Sequence, residues 1–194
     1  HPELTKEDPV GAGNYGMMDC VAAIKWLRRN IAAFGGDPDR ISVMGHSSGG
    51  VFCGILTCSE MVRGDLFGAI LQSGGGTGDN PKVWPLPIKQ AEKFGEKFFE
   101  FANLKSLEEA REVSAERMRE LLLDFERETN DSMRFKPCID GYLLTDYPHI
   151  MQKQGKNHDI HYIVGCDGDE TPPDRESKRP GSWDFAEQAH AVYG

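Results

Sequence analysis

No stretch of this 194-residue chain approaches the run of about 20 apolar residues that a membrane-spanning helix needs, so a membrane is not an expected partner. Basic clusters are also missing. Lys178-Arg179 sits in a segment of mixed charge, and the formal net charge is −9. A phosphate backbone would be repelled overall, which argues against nucleic acid. The five cysteines, Cys20, Cys53, Cys58, Cys138 and Cys166, are odd in number. They form no CxxC pair and no Cys/His spacing suited to a metal. They read as buried, reduced thiols, which favours a reducing compartment such as the cytoplasm. No metal or organic cofactor is expected. Internal repeats and low-complexity tracts are absent. No basic-then-apolar leader opens the chain. It begins at His1-Pro2 rather than at a methionine, and the expectation is that its true start lies elsewhere.

What is present is an apolar pattern that changes period. From Gly16 to Phe34, Met17, Cys20, Val21, Ile24, Leu27 and Ile31 fall at three-and-four spacing, the mark of an amphipathic helix. Gly35-Gly36 and Asp37-Pro38 stop it. Ile41 to Met44 is a short strand, Gly49 to Cys58 a helix with small residues at its start, and Ala69 to Leu71 a second strand. A helical block follows, with Ile88, Ala91, Phe94 and Phe98 on one face. Leu107, Ala110 and Val113 share another face, and Met118, Leu121, Leu122 and Phe125 a third. Ser106 with Glu109 fits a capping box, and Ser114 with Arg117 fits one less well. Pro137 to Ile139 reads as extended, Ile160 to Val164 as a third strand, Thr171 to Gly181 as a polar loop and Ser182 to Tyr193 as a closing helix. Strands separated by helices predict an α/β fold with a parallel sheet, here with few strands for the chain's length.

The strand at Ile41 runs into Gly45-His46-Ser47-Ser48-Gly49, which matches G-x-S-x-G with Ser47 at the centre. A frame centred on Ser48 fails, because His46 stands where glycine is needed. The pattern has a mechanism. A nucleophile held in a sharp strand-to-helix turn has its hydroxyl pushed outwards. Side chains at the flanking positions would collide, hence the glycines. The following helix N-terminus and the amide of Ser48 then face a developing oxyanion. Alone, the five residues also fit a plain glycine-rich turn. The strand before and the helix after favour the nucleophile.

The wider segment GNYGMMDCVAAIKWLRRNIAAFGGDPDRISVMGHSSGG resembles the region around the nucleophile in type-B carboxylesterases, the cholinesterase-like α/β-hydrolases. Gly13 to Gly16, Trp26, Asn30-Ile31 and Phe34 to Pro38 carry the likeness. His1 to Leu4, Leu66-Phe67, Ala69 to Gly74, Pro137 to Gly141, Pro148 and Gly165 to Glu170 continue it, so it covers nearly the whole chain. The resemblance implies a partial α/β-hydrolase fold, with residues 1–194 as a single partial domain of a longer esterase. It implies Ser47 as nucleophile and the Ser48 amide as oxyanion donor. Glu170 would be the acid that orients a base histidine and stabilises its imidazolium. Asp167 and Asp169 are nearby alternatives, and an ordinary loop carboxylate is the plain reading of Glu170. The chain departs from the family at His46, usually glutamate, at Ser48, usually alanine, and at Thr171, usually glycine. Cys20 stands where glutamine is common. Only the backbone of Ser48 is needed, so that change is tolerable.

A base is what the sequence lacks most conspicuously. A serine is a poor nucleophile without one. Of His1, His46, His149, His158, His161 and His190, only His190 follows Glu170, as the family's chain order requires. It sits on the predicted closing helix, much nearer the acid than the family's histidine. The family's glycine-rich oxyanion loop would precede His1. The expectation is therefore an esterase piece acting on a small-molecule ester, with the catalytic histidine and that loop supplied by remaining segments of the same esterase. As an isolated domain it is expected to expose an apolar strand edge and to be unstable or to aggregate. Gly74 to Gly78 and Trp84-Pro85-Leu86 read either as an acyl-pocket border or as packing loops. The alternative function is a non-catalytic interaction module, since the resemblance extends to adhesion proteins that typically lack the serine, or an inactive truncated copy.

Overall fold

The structure is a computed structural model that describes residues 1–75, 85–129 and 135–167. It divides into two compact units, His1–Asp19 with Lys82–Thr145, and Cys20–Pro81 with Asp146–Gly194.

The first unit is mainly helical. It opens on helix α1 (Pro2–Glu7), where the His1 ring accepts from the Glu3 N–H at 3.3 Å and Pro2 occupies a first-turn position whose N–H would find no partner. Helix α2 (Tyr15–Asn30) contributes its first residues here, and Met17 is buried. The second unit takes the rest of α2, with Val21 and Ile24 buried, and a 3-10 turn over Ile31–Phe34. The predicted helix from Gly16 to Phe34 is thus an α-helix that tightens over its last four residues.

In the second unit, strand β1 (Ser42–His46), helix α3 (Ser48–Leu56) and strand β2 (Gly68–Gln72) form a parallel crossover. A 3-10 turn, Glu60–Val62, lies between α3 and β2.

Back in the first unit, the two-residue strand β3 (Leu86–Pro87) leads into helices α4 (Ile88–Ala102), α5 (Leu107–Glu112) and α6 (Ala115–Thr129). Strand β4 (Cys138–Ile139) pairs in parallel with β3. Phe98 is the hub of this unit. Its ring meets Phe125 and Phe135 edge-on, each at 5.6 Å, as aromatic quadrupoles prefer. Half of the capping box forms, with the Ser106 hydroxyl accepting from the Glu109 N–H at 3.2 Å. The Glu109 carboxylate reaches back to the Lys105 N–H at 2.7 Å. Ser114 likewise accepts from the Arg117 N–H at 3.2 Å.

The second unit closes its described part with helix α7 (Pro148–Lys153) and strand β5 (His161–Gly165). The sheet order is β1-β2-β5, all parallel. Cys53 of α3 packs on Ala69 and Leu71 of β2, with Val43, Ile160 and Tyr162 around them. The other face carries Met44, Ile70 and Ile163 in one register row. Met44 is 70% and Ile163 65% exposed, so that row is bare among the described residues. Cys53, Cys58 and Cys138 are buried free thiols, as the sequence reading expects, and burial pushes Cys58 and Cys138 up to about 11. Two differ: Cys20 is only half-buried, and Cys166 is exposed just past β5.

The sequence reading misses α1, α7 and β3, all too short to show a period. The predicted loop at Thr171–Gly181 and helix at Ser182–Tyr193 lie outside the described residues.

Candidate active site

The site grows from the C-terminal end of β1. At Ser47 the backbone takes φ 54° and ψ −119°, a conformation that L-residues avoid and that costs roughly 1–3 kcal/mol. This reverses the chain in one residue, and α3 starts at once, its first turn closed by the Val51 N–H on the Ser47 carbonyl at 3.0 Å. Ser47 and Ser48 are exposed. Helix geometry leaves the first amides of α3, that of Ser48 included, without intrahelical acceptors. Helix-end amides of this kind carry partial positive charge and suit an oxyanion.

Two backbone contacts hold the turn. The Ser47 N–H donates to the Gln72 carbonyl at 2.9 Å, extending the β1–β2 ladder by one step. A Cβ at Gly74 would come within 2.2 Å of the Ser47 carbonyl oxygen, so the segment after β2 lies directly against the elbow backbone. Gly74 and Gly75 are the part of the Gly74 to Gly78 segment that lies among the described residues, and both pack closely on the backbone of the elbow and of α3.

The sequence reading overlooks Ser73. It is the second serine with positive φ, at 51°, and its N–H donates to the Gly165 carbonyl at 2.8 Å. The two strained serines thus follow the ends of adjacent strands, and Ser73 is tied to the last residue of β5. The only signal in the sequence is the Gln72-Ser73-Gly74 run.

Of the proposed site residues, the structure describes Ser47 and Ser48. Glu170, its alternative Asp169, and His190 lie outside the described residues, as does Trp84. Asp167 is described and exposed just past β5. No histidine among the described residues is hydrogen-bonded to the Ser47 hydroxyl. His46 is exposed at the end of β1, His1 caps α1, and His158 is buried against the Ser59 carbonyl at 2.8 Å. Among the described residues, no group of His, Cys, Asp and Glu could hold a metal ion. No described helix is long and apolar enough to cross a membrane.

A second cluster explains two of the sequence motifs. Asn14, 2% exposed, uses its carboxamide as a strand would use its backbone. It accepts from the Cys138 N–H at 2.8 Å and donates to the Cys138 carbonyl at 3.0 Å. It also donates to Asp140 at 2.8 Å. The other Asp140 oxygen accepts from the amides of Tyr142 and Leu143 at 2.9 Å and Leu144 at 3.2 Å. GNYG and PCIDG are thus two halves of one buried knot within the first unit.

Parallel strands covered by a helix, with a strained serine between the central motif's strand and helix, define a partial α/β-hydrolase fold. Residues 4–179 match the carboxylesterase family, and the chain belongs to it. It is 33% identical over 172 residues to the fumonisin B1 esterase of Sphingopyxis macrogoltabida, covering 88% of this chain and 30% of that protein. It is also 33% identical over 166 residues to mouse (Mus musculus) neuroligin-3, covering 81% of this chain and 19% of that protein. The solved structure of a thermophilic PNB esterase superposes with a TM-score of 0.77 at 25% identity, over 98% of this chain and 42% of that one. The chain therefore spans less than a third of the length of these two curated relatives.

Proposed function

We propose that this chain carries the nucleophile of a serine-dependent carboxylic-ester hydrolase. The observation that carries the reading is Ser47, exposed at φ 54° between β1 and α3 in a G-x-S-x-G frame. Its hydroxyl attacks the ester carbonyl. A histidine from outside this chain takes the proton and then delivers it to the departing alkoxide. Glu170 holds that histidine in the required tautomer. The Ser48 N–H and amides of a glycine-rich loop, also from outside this chain, hold the oxyanion. The acyl-enzyme is released by water, and Ser47 regains its proton. The remaining segments of the same esterase are thus the partners this chemistry requires, and a small-molecule ester is the substrate.

The similarity to neuroligin-3 supports a second reading, a non-catalytic interaction module of the same fold. Labelling with a fluorophosphonate, read by peptide mass spectrometry, separates the two. Covalent modification at Ser47 supports the esterase, because phosphonylation needs an activated serine. With the chain joined to the remaining segments of the esterase, folded material that stays unlabelled while a control esterase reacts overturns it and leaves the interaction module.

A further inference from the structure

His158 takes no part in the ester chemistry, yet it is 2% exposed and bonded on several sides. Its backbone N–H donates to the Thr57 carbonyl at 2.7 Å. Its Nε2 lies 2.8 Å from the Ser59 carbonyl oxygen. A carbonyl oxygen only accepts, so Nε2 must carry the hydrogen, and Nδ1 then holds the lone pair. Nδ1 is buried and has no hydrogen-bond partner among the described residues. The His158 carbonyl accepts from the Tyr162 hydroxyl at 2.8 Å. One residue thus ties the turn after α3, where Thr57, Cys58 and Ser59 are at most 1% exposed, to the start of β5.

The surroundings suit a neutral ring and not a cation. Around it lie Glu60 of the 3-10 turn, Arg63 and Asp65 just beyond, and Tyr162 of β5. The Arg63 guanidinium opposes a second positive charge. Glu60 is engaged by Arg63 at 2.6 and 2.7 Å, and Asp65 by Lys25 and Arg28. Both carboxylates are therefore already neutralised. Burial is the chief cause that holds the His158 imidazole below its ordinary value of 6.5. The Ser59 carbonyl and the two carboxylates act the other way without reversing it.

We propose that His158 is an acid-sensitive latch, in which a proton from solvent taken up at Nδ1 drives the ring out of its pocket and frees the turn after α3 from the entry to β5. A protonated Nδ1 has no acceptor in the closed pocket, and water can reach it only if the latch opens. The sign follows from linkage. The open ring binds a proton more readily than the closed one, so the latch is fully held above about pH 6.5 and weakens as pH falls below it.

Amide hydrogen exchange on the full chain, expressed as protection factors so that the intrinsic pH effect cancels, reads the latch directly. Protection of residues 57–59 and 158–162 is expected to drop as pH falls from 7.5 to 5.5, by at most about tenfold per pH unit for one proton. In His158→Gln, whose Nε2 can still donate to Ser59 but does not titrate, that pH-dependent drop is expected to vanish. Equal slopes in the two proteins overturn the proposal, as does absence of protection in the parent chain at either pH. If the variant does not fold, the ring titration of His158 by NMR in the parent decides. Protonation at or above 6.5 with protection unchanged overturns the latch, and protonation only well below 6.5, accompanied by loss of protection, supports it.

Discussion

A Cβ placed on Gly45 would stand 2.2 Å from the carbonyl carbon and oxygen of Gly49, while a Cβ placed on Gly49 meets nothing within 4 Å among the described residues. The two glycines of the motif are not equivalent. The sequence suggests a mutual collision, but the clash is one-sided: the side chain at Gly45 would strike rigid backbone at the start of α3. Gly45→Ala is expected to destabilise the chain by about 3 kcal/mol or more, through overpacking that no rotamer can relieve. Gly49→Ala is expected to be neutral or slightly stabilising, because it sits in a helix where alanine is preferred. Urea unfolding of both variants checks this. Equal losses would show that the elbow is not packed as described.

Ser47 stores strain that catalysis would use and folding would not. At φ 54° and ψ −119° glycine is at ease and serine is not. Ser47→Gly is expected to raise stability by roughly 1 kcal/mol, the strain relieved less the entropy glycine adds to the unfolded state. Ser47→Ala keeps the Cβ and should leave stability within about 0.5 kcal/mol. Both lose the fluorophosphonate adduct. A Ser47→Gly protein no more stable than Ser47→Ala would mean that the turn is relaxed.

Much of this architecture is legible in the sequence because its signals are local. Met17, Val21 and Ile24 share a helical face, and the structure buries all three. The apolar runs at Ile41, Ala69 and Ile160 become the three parallel strands. The bare face is not legible, since Met44 and Ile163 belong to runs that alternate only weakly and so read as buried on both sides. What stayed hidden depends on partners far along the chain. Asn14 gives no sign in the sequence that its amide will meet Cys138, 124 residues away. Positive φ at Ser73 leaves no trace in residue type, because serine has no preference for that backbone region. The proposal of Glu170 as the acid rests on resemblance alone. An isolated carboxylate in a polar loop carries no period and no spacing that marks it.

Asn14 is expected to be the most sensitive polar residue of the first unit. Asn14→Leu keeps the branched shape but leaves the Cys138 N–H and carbonyl, both buried, without their partners. Each unsatisfied group costs about 1–3 kcal/mol, so a total loss of roughly 2–5 kcal/mol is expected. Asn14→Asp should be as damaging, because it removes the donor and brings a carboxylate to the 2.8 Å site facing Asp140. Thermal unfolding of the two variants tests the knot. Loss in Asn14→Leu with full retention in Asn14→Asp would show that shape matters there and hydrogen bonding does not.

The two faces of the sheet should respond differently to the same kind of change. Leu71 is 3% exposed against Cys53 on the α3 side. Leu71→Ala is expected to cost about 2–5 kcal/mol, the transfer of its side chain plus the cavity left behind. Ile163, 65% exposed on the opposite face, has little burial to lose, so Ile163→Ala should change stability by no more than about 0.5 kcal/mol. Met44 and Ile163 flank Ile70 in one row, an apolar strip that parallel sheets ordinarily cover. Met44→Lys with Ile163→Lys should therefore reduce self-association of the chain while leaving its unfolding midpoint nearly unchanged. Sedimentation velocity and urea titration on the double variant read the two effects separately. A large fall in the midpoint would mean that this face is packed in solution, with the row buried against protein and not left open to water.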